Sequence, residues 1–280
     1  MSDFVFAAFA DEAGAALSEQ IDAMRENRVP FLEIRGVDGK NVTALTAEEA
    51  KEVRRRLDEA GLAVWSMGSP IGKIGIRDPF GPHLDLFRHT LDLADILGAK
   101  AFRLFSFYIP AGEDPEIYRD EVLEKMERFA EAGKGSGILL CHENEKGIYG
   151  DVADRCRVIH ENLPDIGAVY DPANYIQTGE DTLEAWSKVE KYIKYMHIKD
   201  ALSSGDVVPA GKGAGRLPEL LARYAAAGGK ILTLEPHLTV FKGLSALERE
   251  GDRSGVGTYA YPDARTAFRA ACEALRALTA

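Results

Sequence analysis

The sequence predicts a single closed (β/α)8 barrel spanning residues 1–280. Three observations carry this. Strand-length apolar runs alternate with amphipathic stretches of helical period along the whole chain. There are eight of each, the count for a closed parallel barrel. Finally, four consecutive strand-like runs reach a metal-ligand type of side chain near their C-terminal ends. An open doubly wound sheet usually carries GxGxxG in its first strand-to-helix turn, and FAAFADEAGAA lacks it.

Taken in order, strands are expected at 4–10, 30–35, 62–67, 100–107, 137–144, 166–171, 192–199 and 230–235. Each is rich in Val, Ile, Leu, Phe or Tyr and bounded by polar or turn residues, as a strand buried on both faces requires. Between them lie AALSEQIDAMREN, TAEEAKEVRRRLDEAG, HLDLFRHTLDLADILG, DPEIYRDEVLEKMERFAEAG, VADRCRVIHENL, TLEAWSKVEK and LPELLARYAAAGG, and PDARTAFRAACEALRALTA closes the chain. Several open on a capping Thr, Ser or Asp, and several stop at glycine, as in DEAGL, DILGA and EAGKG. Two connections are long, Gly68–Pro82 and Pro236–Tyr261. Loops of that length in a barrel enzyme are usually functional, and both follow strands, so both are expected to cover substrate on the active face.

Composition narrows the function classes. A chain of 280 residues with 46% hydrophobic and 28% charged residues is typical of one soluble barrel. A net charge of −11 argues against nucleic-acid binding, which depends on neutralising phosphates. The three cysteines, Cys141, Cys156 and Cys272, show no CxxC spacing and no even count, so neither a disulfide framework nor a zinc knuckle is expected. No apolar stretch approaches the length of a membrane span and MSDFVF lacks the layout of a signal peptide, so a cytoplasmic protein is expected.

The chemistry-bearing residues are Glu143 in ILLCHENE, Asp171 in IGAVYDPAN, His197 in YIKYMHIKD and Glu235 in KILTLEPH, spaced 28, 26 and 38 residues apart. Strand C-termini of a (β/α)8 barrel converge on one face, so these side chains are expected to meet there. Glu143 shares strand parity with Cys141 and Leu139. A bare carboxylate on an interior face carries a desolvation penalty that a cation must offset. Each residue also has an ordinary reading. Asp-Pro commonly starts a turn or caps a helix, a lone core histidine is commonly a hydrogen-bonded structural residue, and Glu145 competes with Glu143 but is expected in the solvated loop. The set of four is the stronger signal. Three carboxylates and one imidazole favour Mn²⁺, Mg²⁺ or Co²⁺ over Zn²⁺.

Further candidates share the strand ends and are expected to contact substrate: Glu33, Arg103, Lys73, Asn174, Lys199 and His237. Arg103 could pair with a ligand carboxylate or clasp a substrate oxygen, or form a structural bridge with Glu33. Glu33 and Arg35 share a face, as do His197 and Lys199. His142 has the opposite parity to Glu143 and is expected to face the helices. GSPIGK is not a phosphate-binding P-loop, though Lys73 and Arg77 could meet an anionic substrate. GKGAGR (Gly211–Arg216) could cradle phosphate before a helix, with a flexible loop as the alternative.

HEN, DPAN, HIKD, LEPH and the GSPIGK loop together resemble the sugar phosphate isomerase/epimerase family, the xylose isomerase-like TIM barrels. The resemblance covers nearly the whole chain, from FAAFADEAG to the final helix. It implies a divalent metal held by Glu143, Asp171, His197 and Glu235, with Glu143 and Glu235 also acting as the acid/base pair. Some family epimerases carry a histidine where this chain has Asn174, and an arginine soon after the metal histidine where this chain offers Lys199. By analogy a homodimer or homotetramer is expected, with a small carbohydrate as substrate.

The expected activity is therefore a metal-dependent isomerase or epimerase of a sugar or sugar phosphate, working through an ene-diolate. The alternative on the same barrel is a metal-dependent dehydratase of a cyclitol or shikimate-like substrate. A phosphodiesterase of the endonuclease IV type would need a His-rich multi-zinc site and a basic face, against six histidines and the acidic charge. A sugar-binding barrel without activity is the non-catalytic alternative.

Overall fold

Strands that are apolar on both faces can bury both only when helices cover one side and the sheet closes on the other. The computed structural model, which describes residues 3–239, 259 and 261–280, has that form. Its strands are β1 (Val5–Ala8), β2 (Phe31–Ile34), β3 (Ala63–Met67), β4 (Ala101–Leu104), β5 (Leu139–Glu143), β6 (Gly167–Tyr170), β7 (Ile193–Ile198) and β8 (Ile231–Leu234). They close into a barrel in sequence order, with β8 returning to β1, and all neighbouring pairs are parallel. The fold is the (β/α)8 barrel expected from the alternation.

The helices are α1 (Leu17–Glu26), α2 (Ala47–Glu59), α3 (Phe80–Leu97), α4 (Arg119–Gly133), α5 (Ala153–Asn162), α6 (Pro172–Gln177), α7 (Thr182–Val189), α8 (Leu217–Ala226) and α9 (Ala264–Thr279). The expected capping holds at α2, where Thr46 and Glu49 form a reciprocal capping box. At the end of α3, Gly98 takes the left-handed conformation at φ 71°. The short α6 was not expected. It exists because Asp171 caps it and Pro172 occupies its first turn.

Two layers of core follow from the strand period. The main core lies between the barrel and its helices, and includes Phe87, Phe102, Phe107 and Phe129. A small separate cluster, Ala101, Cys141, Val169 and Tyr195, plugs the barrel interior. It is the apolar floor of everything above it at the strand C-termini.

Every strand is shorter than its apolar run, and at β4 the reason is specific. Residues 105–108 leave the barrel ladder and bond to the segment after β3. Phe105 N–H donates to Ile71 O (2.8 Å), Phe107 N–H to Gly72 O (3.0 Å) and Tyr108 N–H to Ile74 O (2.8 Å). Tyr108 also bridges to Gly75 and Ile148. The Gly68–Pro82 connection is therefore an ordered rim tied down by main-chain hydrogen bonds, and its last residues already belong to α3. The other long connection, Pro236–Tyr261, lies largely outside the described residues. Among the described residues no helix is long and apolar enough to cross a membrane.

Candidate metal and catalytic site

Parallel strands in register put inward-facing residues at matching heights. Glu143 aligns with Val169, Val169 with Tyr195, and His197 with Thr233. Two residues beyond Val169 and two beyond Thr233, in each case just past the end of the strand, the chain reaches Asp171 and Glu235. Glu143, Asp171, His197 and Glu235 are all buried and each offers a ligand atom, all within 4.8 Å of one another. The structure thus brings the four strand-end residues together.

His197 is the hub. Its Nδ1 lies 2.9 Å from Glu143 Oε1, 3.4 Å from Glu235 Oε2 and 3.9 Å from Asp171 Oδ2. Its Nε2 points the other way, 3.2 Å from Glu33 Oε2. Burial opposes a charged ring, but Glu143 and Glu33 on its two edges prevail and hold the imidazolium well above the ordinary histidine range. Phe9 meets the ring edge-on at 5.3 Å between centroids.

The two oxygens of Asp171 have different surroundings. Oδ1 accepts from Asn174 N–H at 3.0 Å and caps α6. Oδ2 is buried without a hydrogen bond, yet lies 2.8 Å from the Lys199 ammonium, so that contact is an ion pair without hydrogen-bond alignment. Burial pushes the Asp171 carboxyl up to about 7, with Lys199 opposing the shift and Glu235 and Glu143 adding to it.

The two glutamates sit among cations. Burial alone would raise Glu143, but His197 and Arg103 outweigh it and keep the carboxyl below its usual range. Arg103 Nη1 donates to Glu143 Oε2 at 3.0 Å, and Nη2 to Gly68 O at 3.0 Å. Glu235 is likewise held well below the usual range against burial, first by Lys199 and then by His237 and His197. Lys199 Nζ donates to Glu235 Oε2 (3.1 Å) and Arg35 Nη1 to Glu235 Oε1 (3.3 Å).

The remaining expected substrate contacts fall around this centre. Asn174 Nδ2 donates to Asn144 O (2.8 Å) and reaches Glu143 Oε1 at 3.4 Å. His237 Nε2 is 3.7 Å from Glu12 Oε1 and 3.9 Å from Glu235 Oε1. Lys73 Nζ pairs with Glu145 Oε2 at 2.9 Å and lies over the Phe105 ring, so Glu145 is engaged at the rim and not solvated as expected. Glu33 is wholly buried and bonds to His197 and to Tyr195 Oη. Arg103 pairs with Glu143 in place of the Glu33 bridge considered above. Arg77 turns to Glu113. His142 faces Ser106 Oγ at 2.9 Å, on the helix side.

The glycine-rich GKGAGR segment is neither a free cradle nor a loose loop. Gly211 and Gly213 N–H groups donate to Asp200 Oδ2, and Gly215 N–H to Oδ1, each at 2.9 Å. The anion in this nest is the chain's own Asp200.

Sequence reasoning missed the acidic pair after β1. Arg35 Nη2 binds Asp11 Oδ1 (3.0 Å) and Glu12 Oε1 (3.1 Å), and burial pushes Glu12 up to about 8 against the pull of Arg35. Glu12, Glu235 and His237 also form a second close group of donors, but the Arg35 guanidinium already spans Glu12 and Glu235 there. The visible signal was two acids directly after an apolar run. Tyr195 was also legible, since it shares parity with His197.

The four-residue set fits a divalent cation on its own terms. Its donor atoms converge, Asp171 Oδ2 has no hydrogen bond, and three buried carboxylates face one point. Such a cluster is costly unless cations compensate it, a part that Arg103, Lys199, Arg35 and protonated His197 play in the metal-free protein.

A family model described as xylose isomerase-like TIM barrel matches residues 21–251. No curated protein matches the chain by sequence. Among solved structures, an L-ribulose 3-epimerase is similar with a TM-score of 0.75 at 16% identity, covering 100% of this chain and 96% of that one. The probable 3-DHS dehydratase AsbF of Bacillus anthracis, involved in petrobactin synthesis, gives 0.74 at 12% identity, covering 98% of each chain. The IOLI protein with a binding zinc atom gives 0.73 at 14% identity, covering 99% of this chain and 98% of that one. At such identities these likenesses speak for the fold.

Proposed function

The chain belongs to the family of xylose isomerase-like TIM barrels, and from that premise we propose that it is a divalent-metal-dependent isomerase or epimerase of a sugar or sugar phosphate. The observation that carries the reading is the convergence of Glu143, Asp171, His197 and Glu235 within 4.8 Å at the strand C-termini, where barrel enzymes do their chemistry. A likeness in fold to an L-ribulose 3-epimerase supports it.

Bound by these four residues, a divalent cation would act as a Lewis acid on adjacent substrate oxygens and stabilise ene-diolate charge. The oxygen-rich donor set favours Mn²⁺, Mg²⁺ or Co²⁺, although a similar barrel holds zinc. The chain's own residues move the proton. Glu143 and Glu235 are both held ionised by cationic neighbours, so the resting site is set to accept a proton from the carbon beside a carbonyl. Returning one to the neighbouring carbon isomerises, and returning one to the opposite face epimerises. Lys199, 3.1 Å from Glu235, is placed to recharge the Glu235 carboxyl, which with Glu143 makes up the acid/base pair. Arg103 and Asn174 orient the Glu143 carboxylate.

A dehydratase of a cyclitol or shikimate-like substrate is the second reading. It is favoured by Lys199, an ammonium among the ligands that could protonate a leaving hydroxyl, and by the fold likeness to a probable dehydratase. Metal content and Mn²⁺-dependent deuterium uptake from solvent, over a panel of ketoses, aldoses and cyclitols, separate the readings. Deuterium beside a carbonyl with the carbon count and hydration unchanged supports the isomerase or epimerase. Loss of water supports the dehydratase, and no metal binding removes both.

A further inference from the structure

We propose that Glu33 is a positioning residue for the metal site, holding the His197 ring so that Nδ1 is the atom presented to Glu143, Asp171 and Glu235. The inference rests on the metal reading above and assigns Glu33 to the ring behind that site, not to substrate.

The geometry is two-sided. A neutral imidazole carries one proton and one lone pair, and the bond made by one nitrogen decides which atom keeps the lone pair. Nε2 faces Glu33 Oε2 at 3.2 Å, while Nδ1 faces the three ligand carboxylates at 2.9–3.9 Å. A carboxylate can only accept from Nε2–H. In the metal-free protein both nitrogens donate to carboxylates; when a cation takes the place of one proton, the Glu33 bond keeps Nε2–H and leaves the Nδ1 lone pair to the ligand group.

Glu33 is itself fixed. It is 0% exposed, and its other oxygen accepts from Tyr195 Oη at 2.9 Å. Tyr195 Oη in turn lies 3.2 Å from Ser66 Oγ. The barrel is adjusted locally to build this relay. The β2–β3 register shifts between Leu32 and Glu33, so that Glu33 sits opposite Ser66. The β6–β7 register shifts between Ala168 and Val169, bringing Tyr195 opposite Val169. Irregularities of this kind re-aim side chains and recur next to functional sites. The imidazole stands between Glu33 and the other carboxylates, so Glu33 acts through the ring. Hydrogen-bonded partners behind a metal-bound histidine typically contribute 10–100-fold in metal affinity.

The test titrates Mn²⁺ calorimetrically into wild type and Glu33→Gln, and records the Co²⁺ d–d spectrum of both. The variant is expected to bind Mn²⁺ about 10–100-fold more weakly and shift the Co²⁺ bands, while its circular dichroism spectrum stays that of the barrel. Unchanged affinity and spectrum would overturn the proposal. Because Glu33→Gln removes a buried charge and can fail to fold, a second measurement uses wild type alone. With ¹⁵N-histidine protein and Zn²⁺, NMR is expected to place the proton of His197 on Nε2 and the metal on Nδ1. The opposite arrangement overturns the proposal while leaving the metal reading intact. Wild type that binds neither Mn²⁺ nor Zn²⁺ removes the metal reading and this inference with it.

Discussion

The Lys199 ammonium lies 2.8 Å from Asp171 Oδ2, the oxygen that Asp171 keeps free of its capping duty. A fixed cation thus sits beside an oxygen that a divalent ion would also use, and the two compete for it. In Lys199→Met the competitor is gone, and Mn²⁺ is expected to bind about tenfold more tightly, roughly 1.4 kcal/mol. Without metal, the same variant leaves two buried carboxylates short of a partner and should lose about 3–5 kcal/mol of stability. Thermal unfolding with and without Mn²⁺ checks both. A metal-free variant as stable as wild type would show that Lys199 does not neutralise the cluster.

Glu143→Gln and Glu235→Gln keep the side-chain volume and remove the proton acceptor. Each is expected to lower turnover by about 10²–10⁴-fold while the circular dichroism spectrum stays that of the barrel. Solvent-deuterium uptake into substrate is the readout. Full activity in either variant would remove that residue from the proton-transfer step.

Asp200 organises the Gly211–Arg216 segment by accepting from Gly211, Gly213, Gly215 and Ala201 N–H groups. Asp200→Ala leaves these donors without their anion, at an expected cost of about 3 kcal/mol. Amide hydrogen exchange at Gly213 and Gly215 should quicken selectively. Exchange at wild-type rates would mean the nest holds without its carboxylate.

Gly72 has φ +92° and a Cβ there would stand 2.0 Å from Phe105 O. Gly72→Ala is expected to destabilise by about 2 kcal/mol or more, since the rim it belongs to is bonded to residues 105–108. Urea unfolding measures this. A neutral substitution would mean that the contact between Gly72 and Phe105 does not hold the rim in place.

His83 contributes a pH dependence of known sign. Burial lowers its pKa to about 4, and its Nε2 accepts from Gly72 N–H at 2.8 Å. The unfolded chain takes up a proton near pH 6.5 and the folded protein does so only near 4. Stability from this group is therefore full above pH 6.5 and falls as pH drops toward 4. His83→Gln should flatten that part of the unfolding-temperature profile; an unaltered slope would assign it to other groups.

Much of the fold was legible because a strand buried on both faces has to be apolar along its length, and β1 to β8 each coincide with such a run. The site was legible for a related reason. A carboxylate ending an apolar run, as in ILTLE, has no local explanation, so Glu235 and Glu143 stood out. The Asp-Pro of Asp171 offered two readings, cap and ligand; Oδ1 serves the cap, and Oδ2 faces Lys199 and the other three residues of the group. Glu145 and GKGAGR were harder, because their partners, Lys73 and Asp200, are chosen by loop packing that no local pattern encodes.

By itself, then, the sequence determined the alternation, the closure and the parity that sends Glu143, His197 and Glu235 inward, since these follow from periodicities of two and 3.6 residues. Only the tertiary structure decided who pairs with whom. Arg103 takes Glu143 over Glu33, Lys199 spans Asp171 and Glu235, and Arg35 joins Glu12 to Glu235 across more than 200 residues of chain. Those choices depend on distances set by barrel closure and two register shifts. In a low-dielectric interior a difference of an ångström or two selects the partner of a charge.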